Sequence, residues 1–191
     1  CITFRSNFRK KLFEFKHNTF IVDTEYDPST NGIFEISIFN ALFPYKSIFQ
    51  IVYDPFVEYS IVKKWLSVSK ELYYNSPTIL IIKEMLLNLC RLYDEKPIFY
   101  YYNAKTDIKF LENENVEVCD FSTKLYKICA KSGTFDSNTK KPKLIDYYNN
   151  HVDFMSFNER LKHHTALSDT LMLYEIILTY PDEYEKYNLK S

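Results

Sequence analysis

Residues 19–25 read Thr-Phe-Ile-Val-Asp-Thr-Glu, an apolar run that passes directly into two acids spaced one residue apart. The apolar part is typical of a buried β-strand. Alternate side chains of a strand point to the same face, so Asp23 and Glu25 are expected to project together. Two carboxylates on one face repel each other unless a cation lies between them, and such hard oxygen ligands suit Mg²⁺ or Mn²⁺. This stretch therefore predicts a first strand that ends in a divalent-cation site.

The composition is that of a globular domain. The chain has 191 residues, 46% of them hydrophobic and 26% charged, which allows one domain with a sizeable core. Aromatic residues make up 18% of the chain, only 2 residues are glycine, and Lys, Ile and Asn are frequent. A/T-rich codons favour these frequent residues, so the composition suggests a virus, a phage, a parasite or a low-GC bacterium as the source. The net charge of −1 argues neither for nor against a nucleic-acid partner.

The cysteines and the chain start bear on the compartment. Cys1, Cys90, Cys119 and Cys129 have no zinc-binding spacing and are expected to be reduced, mostly buried thiols. The protein is expected to be intracellular and cytoplasmic, or a viral or phage product acting in the host cell. No apolar run approaches the roughly 18 residues of a membrane span, and the basic start is not a signal peptide. A first residue other than Met suggests a piece or processed product of a larger parent protein or polymerase complex.

The order of predicted elements indicates an α/β domain. Strands are predicted over residues 19–23, 33–40, 47–52, 98–102 and 116–119. Helices are predicted over residues 60–70, 78–93, 121–130, 142–148 and 165–179. Asn103 is expected to cap a further helix that holds Asp107, and Pro181 is expected to end the last helix. The turn at Asn31-Gly32 joins the first two strands into a hairpin.

These elements predict a mixed five-stranded sheet, with three antiparallel strands followed by two parallel ones, flanked by helices. The domain is expected to span residues 19–180. Residues 1–18 form a basic leading segment or linker, and residues 181–191 form a C-terminal tail.

Three other chemical groups follow the first acidic pair. Asp107 comes after the fourth predicted strand, and His164 and Asp169 stand at the start of the last helix. Singly, each has an ordinary explanation: Asp107 as a first-turn helix acid, His164 as a surface or capping residue, and Asp169 as a solvated acid. Their order along the chain favours one shared site.

In that order the chain resembles the DnaQ-like 3′→5′ exonucleases of the DEDDh subgroup. The first family motif matches residues 20–25, and the acidic pattern of the second strand appears at residues 34–36. The third motif runs from His164 to Asp169 and follows a typical stretch at residues 143–148. The second motif keeps five residues, which are Asn103, Ala104, Asp107, Phe110 and Leu111.

The match covers residues 19–180 and has departures. Tyr102 stands where the family usually has His, Thr106 where it has Phe, and Asp27-Pro28 where it has Thr-Gly. These positions shape substrate contact and packing more than metal ligation. The departures therefore bear on specificity, while all five chemical positions are filled.

The resemblance implies an RNase H-like three-layer fold and a two-metal-dependent exonuclease. The expected reaction is hydrolysis of single-stranded RNA or DNA 3′ ends to nucleoside 5′-monophosphates. It implies that two divalent cations, Mg²⁺ or Mn²⁺, are held by four carboxylates, those of Asp23, Glu25, Asp107 and Asp169. It also implies that His164 acts as the general base.

Substrate contacts are expected from Thr24, Tyr26, Asn103, Lys141 and Lys143. Lys131 and Lys140 belong to the same basic loop, for which phosphate contact and simple solvation are equally supported. Two alternatives stay open: a proofreading domain of a larger polymerase-associated protein, and a non-catalytic nucleic-acid-binding module on the same fold. A purely structural or interaction protein is disfavoured because no acid has been lost. RNA and DNA are not distinguished, since no residue of the pattern is a reliable reader of the 2′-hydroxyl.

The register of the third motif gives a first testable prediction. Replacing His164 with Ala should lower turnover by roughly 10²–10⁴-fold, the range for losing a general base. His163→Ala should cost far less, because His163 lies six residues before Asp169 and not five. The wild-type rate should fall as the pH drops through the imidazole pKa, and the His164 variant should lack that limb. A His163 variant more damaged than the His164 variant would contradict this register.

Overall fold

The computed structural model describes residues 14–44, 46, 51–103, 106–132, 143–151 and 165–186. Its four strands are β1 (Thr19–Tyr26), β2 (Ile33–Asn40), β3 (Ile98–Tyr101) and β4 (Glu117–Asp120). They form one mixed sheet in the order β2-β1-β3-β4. β1 pairs antiparallel with β2 and parallel with β3, and β3 pairs parallel with β4. The predicted hairpin of the first two strands and the predicted parallel half are confirmed.

Seven helices are found in the described residues. They are α1 (Tyr59–Trp65), α2 (Lys70–Tyr74), α3 (Ile79–Cys90), α4 (Thr106–Lys109), α5 (Phe121–Ser132), α6 (Leu144–His151) and α7 (Ala166–Lys186). None of them combines the length and apolar character that a bilayer-spanning segment requires. Cys90 is buried and Cys119 half-buried, and both are free thiols.

The sheet differs from the prediction by one strand. The part of the chain that the structure describes contains four strands, where five were expected. The missing one was predicted over residues 47–52, of which 47–50 lie outside the described residues. The remaining part makes a single antiparallel bridge, from Ile51 to Glu35 on β2.

Three helix predictions are corrected. The helix expected over residues 60–70 is two helices, because the Ser69 side chain accepts a hydrogen bond from the Leu72 N–H and so begins α2. Asn103 lies three residues before α4, and with φ of 66° it is in the left-handed region, so it is not the cap of that helix. Pro181 does not end α7, which continues to Lys186. A proline removes only one backbone N–H donor, and the other residues of the helix keep their backbone hydrogen bonds.

Strand alternation divides the core between the two faces of the sheet. On one face Ile21 and Phe39 pack with residues of α5, α6 and α7. On the other face Phe20, Val22 and Ile38 pack with residues of α3 and α4. The domain is therefore three layers thick, with the sheet between two helical layers. Asp23 and Glu25, two and four residues after Ile21, lie on the α7 face.

The parallel pairing decides where the polar groups gather. Because β1 and β3 run in the same direction, their carboxyl ends meet at the same edge of the sheet. Asp23 and Glu25 lie near the end of β1, and Asp107 lies in α4, just beyond β3. From this edge the chain leaves β1 towards β2 and leaves β3 towards β4, in opposite directions across the sheet. Such a point is the usual ligand position in open α/β sheets.

A tight approach next to the β1–β2 turn gives a prediction about stability. A Cβ added to Gly32 would overlap Cγ2 of Val57 and lie 3.0 Å from Oδ2 of Asp54. The valine side chain is stiff, so the backbone would have to move. Gly32→Ala should therefore lower the free energy of unfolding by about 1–3 kcal/mol, as overpacking generally does. Urea unfolding measures this, and an unchanged midpoint would contradict the close packing.

Candidate metal centre

Three carboxylates from two elements converge at the carboxyl end of β1. Asp23 and Glu25 come from the strand, and Asp169 comes from the first turn of α7. One oxygen of each lies within 4.8 Å of an oxygen of the others. The expectation that Asp23 and Glu25 project together is confirmed, and Asp169, which alone would be taken as solvated, is only 9% exposed.

Asp107 joins the same site from the opposite face of β1. Its Oδ1 accepts hydrogen bonds from both the hydroxyl of Thr24, at 2.6 Å, and the backbone N–H of Thr24, at 3.2 Å. The alternation of the strand explains the contact, because Thr24 points away from the face that bears Asp23 and Glu25. Asp107 is 1% exposed, so these bonds fix a fully buried carboxyl group.

Within the described residues, Oδ2 of Asp23 and Oδ2 of Asp107 are buried and receive no hydrogen bond. Buried polar atoms of proteins nearly always have a partner, so such atoms call for a missing cation or water. Hard carboxylate oxygens that converge in this way fit a divalent cation such as Mg²⁺ or Mn²⁺. The residues present therefore fit the predicted metal.

The electrostatics agree with that fit. Burial, aided by the charges of neighbouring carboxylates, raises the pKa of Asp23 well above its ordinary value. Burial, with the charges of Asp169, Glu35 and Asp107, raises the pKa of Glu25 to about 8. Burial also raises the pKa of Asp107 to about 7, in spite of the hydrogen bonds from Thr24. Without a cation this group of acids holds protons at neutral pH, and a bound cation would displace them.

A fifth carboxylate, not among the site residues predicted from the sequence, borders the centre. Glu35 lies directly opposite Glu25 in the β1–β2 register and is 8% exposed. Its Oε2 accepts a hydrogen bond from the backbone N–H of Ala166, the first residue of α7. The sequence signal was the single acid inside the mostly apolar β2, since a charge in a buried strand needs a reason.

The other predicted site residues are placed as follows. His164 and its competitor His163 lie outside the described residues, as do Lys140 and Lys141. Lys143 is exposed immediately before α6, and Tyr26 is half-buried against the α3–α4 side of the core. Asn103 is exposed, and its backbone N–H donates to Oδ1 of Asp120 at the end of β4.

A cavity of about 690 Å³ lies beside α4, the helix that holds Asp107. Thr106, which precedes Asp107, lines it together with Phe110 and Ile79. Its polar lining residues are Asn31, Asp54, Lys109 and Glu112. A second cavity of about 650 Å³ lies at the opposite edge of the sheet, near Pro97 at the start of β3, far from this chemistry. Of these two cavities, the first is the one that borders the helix holding Asp107.

The fold is similar to that of a solved exonuclease. Among solved structures, the chain is similar to Exonuclease X in complex with 5′ overhanging duplex DNA, with a TM-score of 0.55. The two are 16% identical, and the match covers 90% of this chain and 94% of that one. At this identity the likeness establishes the architecture alone. The sequence matches no protein-family model and no curated protein.

The raised pKa values predict how stability depends on pH without divalent ions. Acids with a raised folded-state pKa stabilise the fold below their unfolded pKa, and this stabilisation is lost as the pH rises through the folded pKa. In EDTA, the free energy of unfolding should therefore fall as the pH rises from about 4.5 towards 8, the ordinary and shifted pKa values of Glu25. Mg²⁺ should oppose the fall, because it binds the deprotonated acids.

Glu25→Gln is the matched control, since it keeps the shape and removes one titrating group. Urea unfolding at several pH values should show a weaker pH slope for this variant in EDTA. Equal slopes in the two proteins would show that Glu25 does not carry the shifted pKa.

Proposed function

We propose that this chain is a divalent-metal-dependent 3′→5′ exonuclease. It hydrolyses phosphodiester bonds at single-stranded ends of RNA or DNA and releases nucleoside 5′-monophosphates. The observation that carries the proposal is the convergence of Asp23, Glu25 and Asp169, with Asp107 hydrogen-bonded to the same strand. An exonuclease fold with acids at the ligand-binding edge of its sheet supports it.

The roles follow from the chemistry of each group. Asp23, Glu25, Asp107 and Asp169 would hold two Mg²⁺ or Mn²⁺ ions. When bound, such ions lower the pKa of water and neutralise charge on the phosphate and the leaving oxygen. Thr24 keeps Asp107 in place through its two hydrogen bonds. His164 accepts the proton of the attacking water.

The reaction breaks one bond and forms another. The water oxygen bonds to phosphorus while the bond from phosphorus to the 3′-oxygen of the preceding nucleotide breaks. The terminal nucleotide leaves with a 5′-phosphate, and the shortened strand keeps a free 3′-hydroxyl. The proton taken up by His164 is returned to solvent or to the leaving oxygen.

The cavity beside α4 is the place that we propose for the end of the strand. Phe110 and Ile79 offer apolar walls that suit a base, and Lys109 offers one positive charge beside the acids Asp54 and Glu112. We place the end of the strand there, with further contacts from Thr24, Tyr26, Asn103, Lys141 and Lys143. The neighbouring solved structure holds 5′ overhanging duplex DNA, and a nucleic-acid substrate is the counterpart proposed for this chain.

Finer features belong to the same proposal. The DEDDh subgroup depends on His164, and the domain is taken to span residues 19–180. The bridge from Ile51 to Glu35 supports a fifth strand next to β2. Attachment to a polymerase would make the domain a proofreading exonuclease.

The central test compares Asp23→Asn with wild type. End-labelled single-stranded RNA and DNA are incubated with Mg²⁺, Mn²⁺ or EDTA, and products are followed over time. Wild type should shorten strands from the 3′ end with Mg²⁺ or Mn²⁺ and not in EDTA. Asp23→Asn should lose at least about 10³-fold of the rate, because the reaction depends on the metal that Asp23 holds.

Glu84→Gln on the exposed side of α3 is the matched control and should cleave like wild type. Binding of single strands without any cleavage would favour the non-catalytic module instead. Cleavage by Asp23→Asn at the wild-type rate would remove the site assignment.

A further inference from the structure

We propose that Glu35 and Ser37 on β2 are positioning residues that fix where Asp169 stands relative to Asp23 and Glu25. The proposal rests on the proposed function, because it concerns the geometry of the same carboxylate centre. Neither residue needs to contact substrate or metal. They act through two polar attachments between β2 and the first turn of α7.

The strand register places both residues opposite the acids. In the β1–β2 ladder Asp23 pairs with Ser37, and Glu25 pairs with Glu35. In an antiparallel ladder, paired residues project to the same face. Glu35 and Ser37 therefore stand beside the two acids of β1, on the face that α7 covers. The cross-strand partners of the acids are the residues that reach the helix.

The first attachment is at the helix start. Oε2 of Glu35 accepts the backbone N–H of Ala166 at 3.2 Å, a bond buried in the protein. The N–H groups of a first helical turn have no partner within the helix, so an acceptor from outside satisfies one of them. The bond fixes α7 along its axis at its first residue.

The second attachment lies one turn further along. The hydroxyls of Ser37 and Thr170 are 2.9 Å apart, and both residues are fully buried. The hydroxyl of Thr170 is also 2.9 Å from the carbonyl of Ala166. The two attached residues of β2 are thus two residues apart, and the two attached residues of α7 are four residues apart, which is about one helical turn. Asp169 lies between the two attached residues, next to Thr170.

Apolar packing alone would not fix Asp169 so closely. The face of α7 towards the sheet is apolar, with Met172, Leu173 and Ile176 buried there. Burial of apolar area is non-directional, whereas hydrogen bonds require a definite distance and angle. A metal-binding carboxylate needs placement within about 0.5 Å of its productive position. Two hydrogen bonds that bracket Asp169 supply that directional constraint.

The test compares Glu35→Gln with Glu35→Ala. The amide oxygen of Gln can still accept the Ala166 N–H, so Mn²⁺ affinity and kcat should stay within about threefold of wild type. Glu35→Ala has no acceptor, and Mn²⁺ affinity and kcat should each fall by about 10- to 100-fold, as for other groups that orient metal ligands. KM should change less than kcat, since the cavity that receives the substrate is untouched.

Ser37→Ala is the milder second variant, in case Glu35→Ala does not fold. It should weaken Mn²⁺ binding by about three- to tenfold, the worth of one hydrogen bond. Mn²⁺ affinity is measured by calorimetry well below the melting temperature, so a loss of stability alone does not move it.

The matched control is Tyr148→Phe, which removes the hydroxyl that donates to the buried Glu175 farther along α7. It should lower the melting temperature and leave Mn²⁺ affinity unchanged. Wild-type Mn²⁺ affinity in both Glu35→Ala and Ser37→Ala would overturn the proposal. Equal damage in Glu35→Gln and Glu35→Ala would also overturn it, because Glu35 would then act through its charge. Mn²⁺ binding without cleavage in wild type would defeat the proposed function while the affinities still test the positioning.

Discussion

The acids that meet at one edge of the sheet repel one another, and the rest of the structure must hold them together against this repulsion. Asp23, Glu25 and Asp169 bring carboxylate oxygens within 4.8 Å of one another, and burial strengthens their repulsion. Such a group costs stability unless a cation or protons neutralise it. The surrounding apolar layers and hydrogen bonds hold the acids together against this cost, which is common where strain serves a site.

One strand organises most of that arrangement. Alternation along β1 sends Asp23 and Glu25 towards α7 and Thr24 towards α4, so three consecutive residues serve both faces of the sheet. Asp107 then reaches the centre because β3 runs parallel to β1 and delivers the chain to the same edge. The site is thus a product of the sheet's alternation and direction, and its four carboxylates lie on β1, α4 and α7.

Local patterns predicted the parts of the site that depend on local geometry. The shared face of Asp23 and Glu25 follows from the period of a strand, and the place of Asp107 follows from a parallel connection. The attachments of Glu35 and Ser37 depend on the β1–β2 register and on how α7 docks, which no local pattern determines. The break before α2 was missed because residues 60–70 contain no glycine or proline. The continuation of α7 past Pro181 was missed because proline rules are statistical.

The spacing of the acids along the chain bears on when the centre comes into being. Synthesis proceeds from the first residue, so both acids of β1 leave the ribosome long before Asp169 on α7. An incomplete chain can form the hairpin and still lack the group that completes the cluster. A carboxylate centre assembled from distant parts of the chain is incomplete until the last helix docks. The order of the elements along the chain therefore makes the docking of α7 the step that completes the cluster.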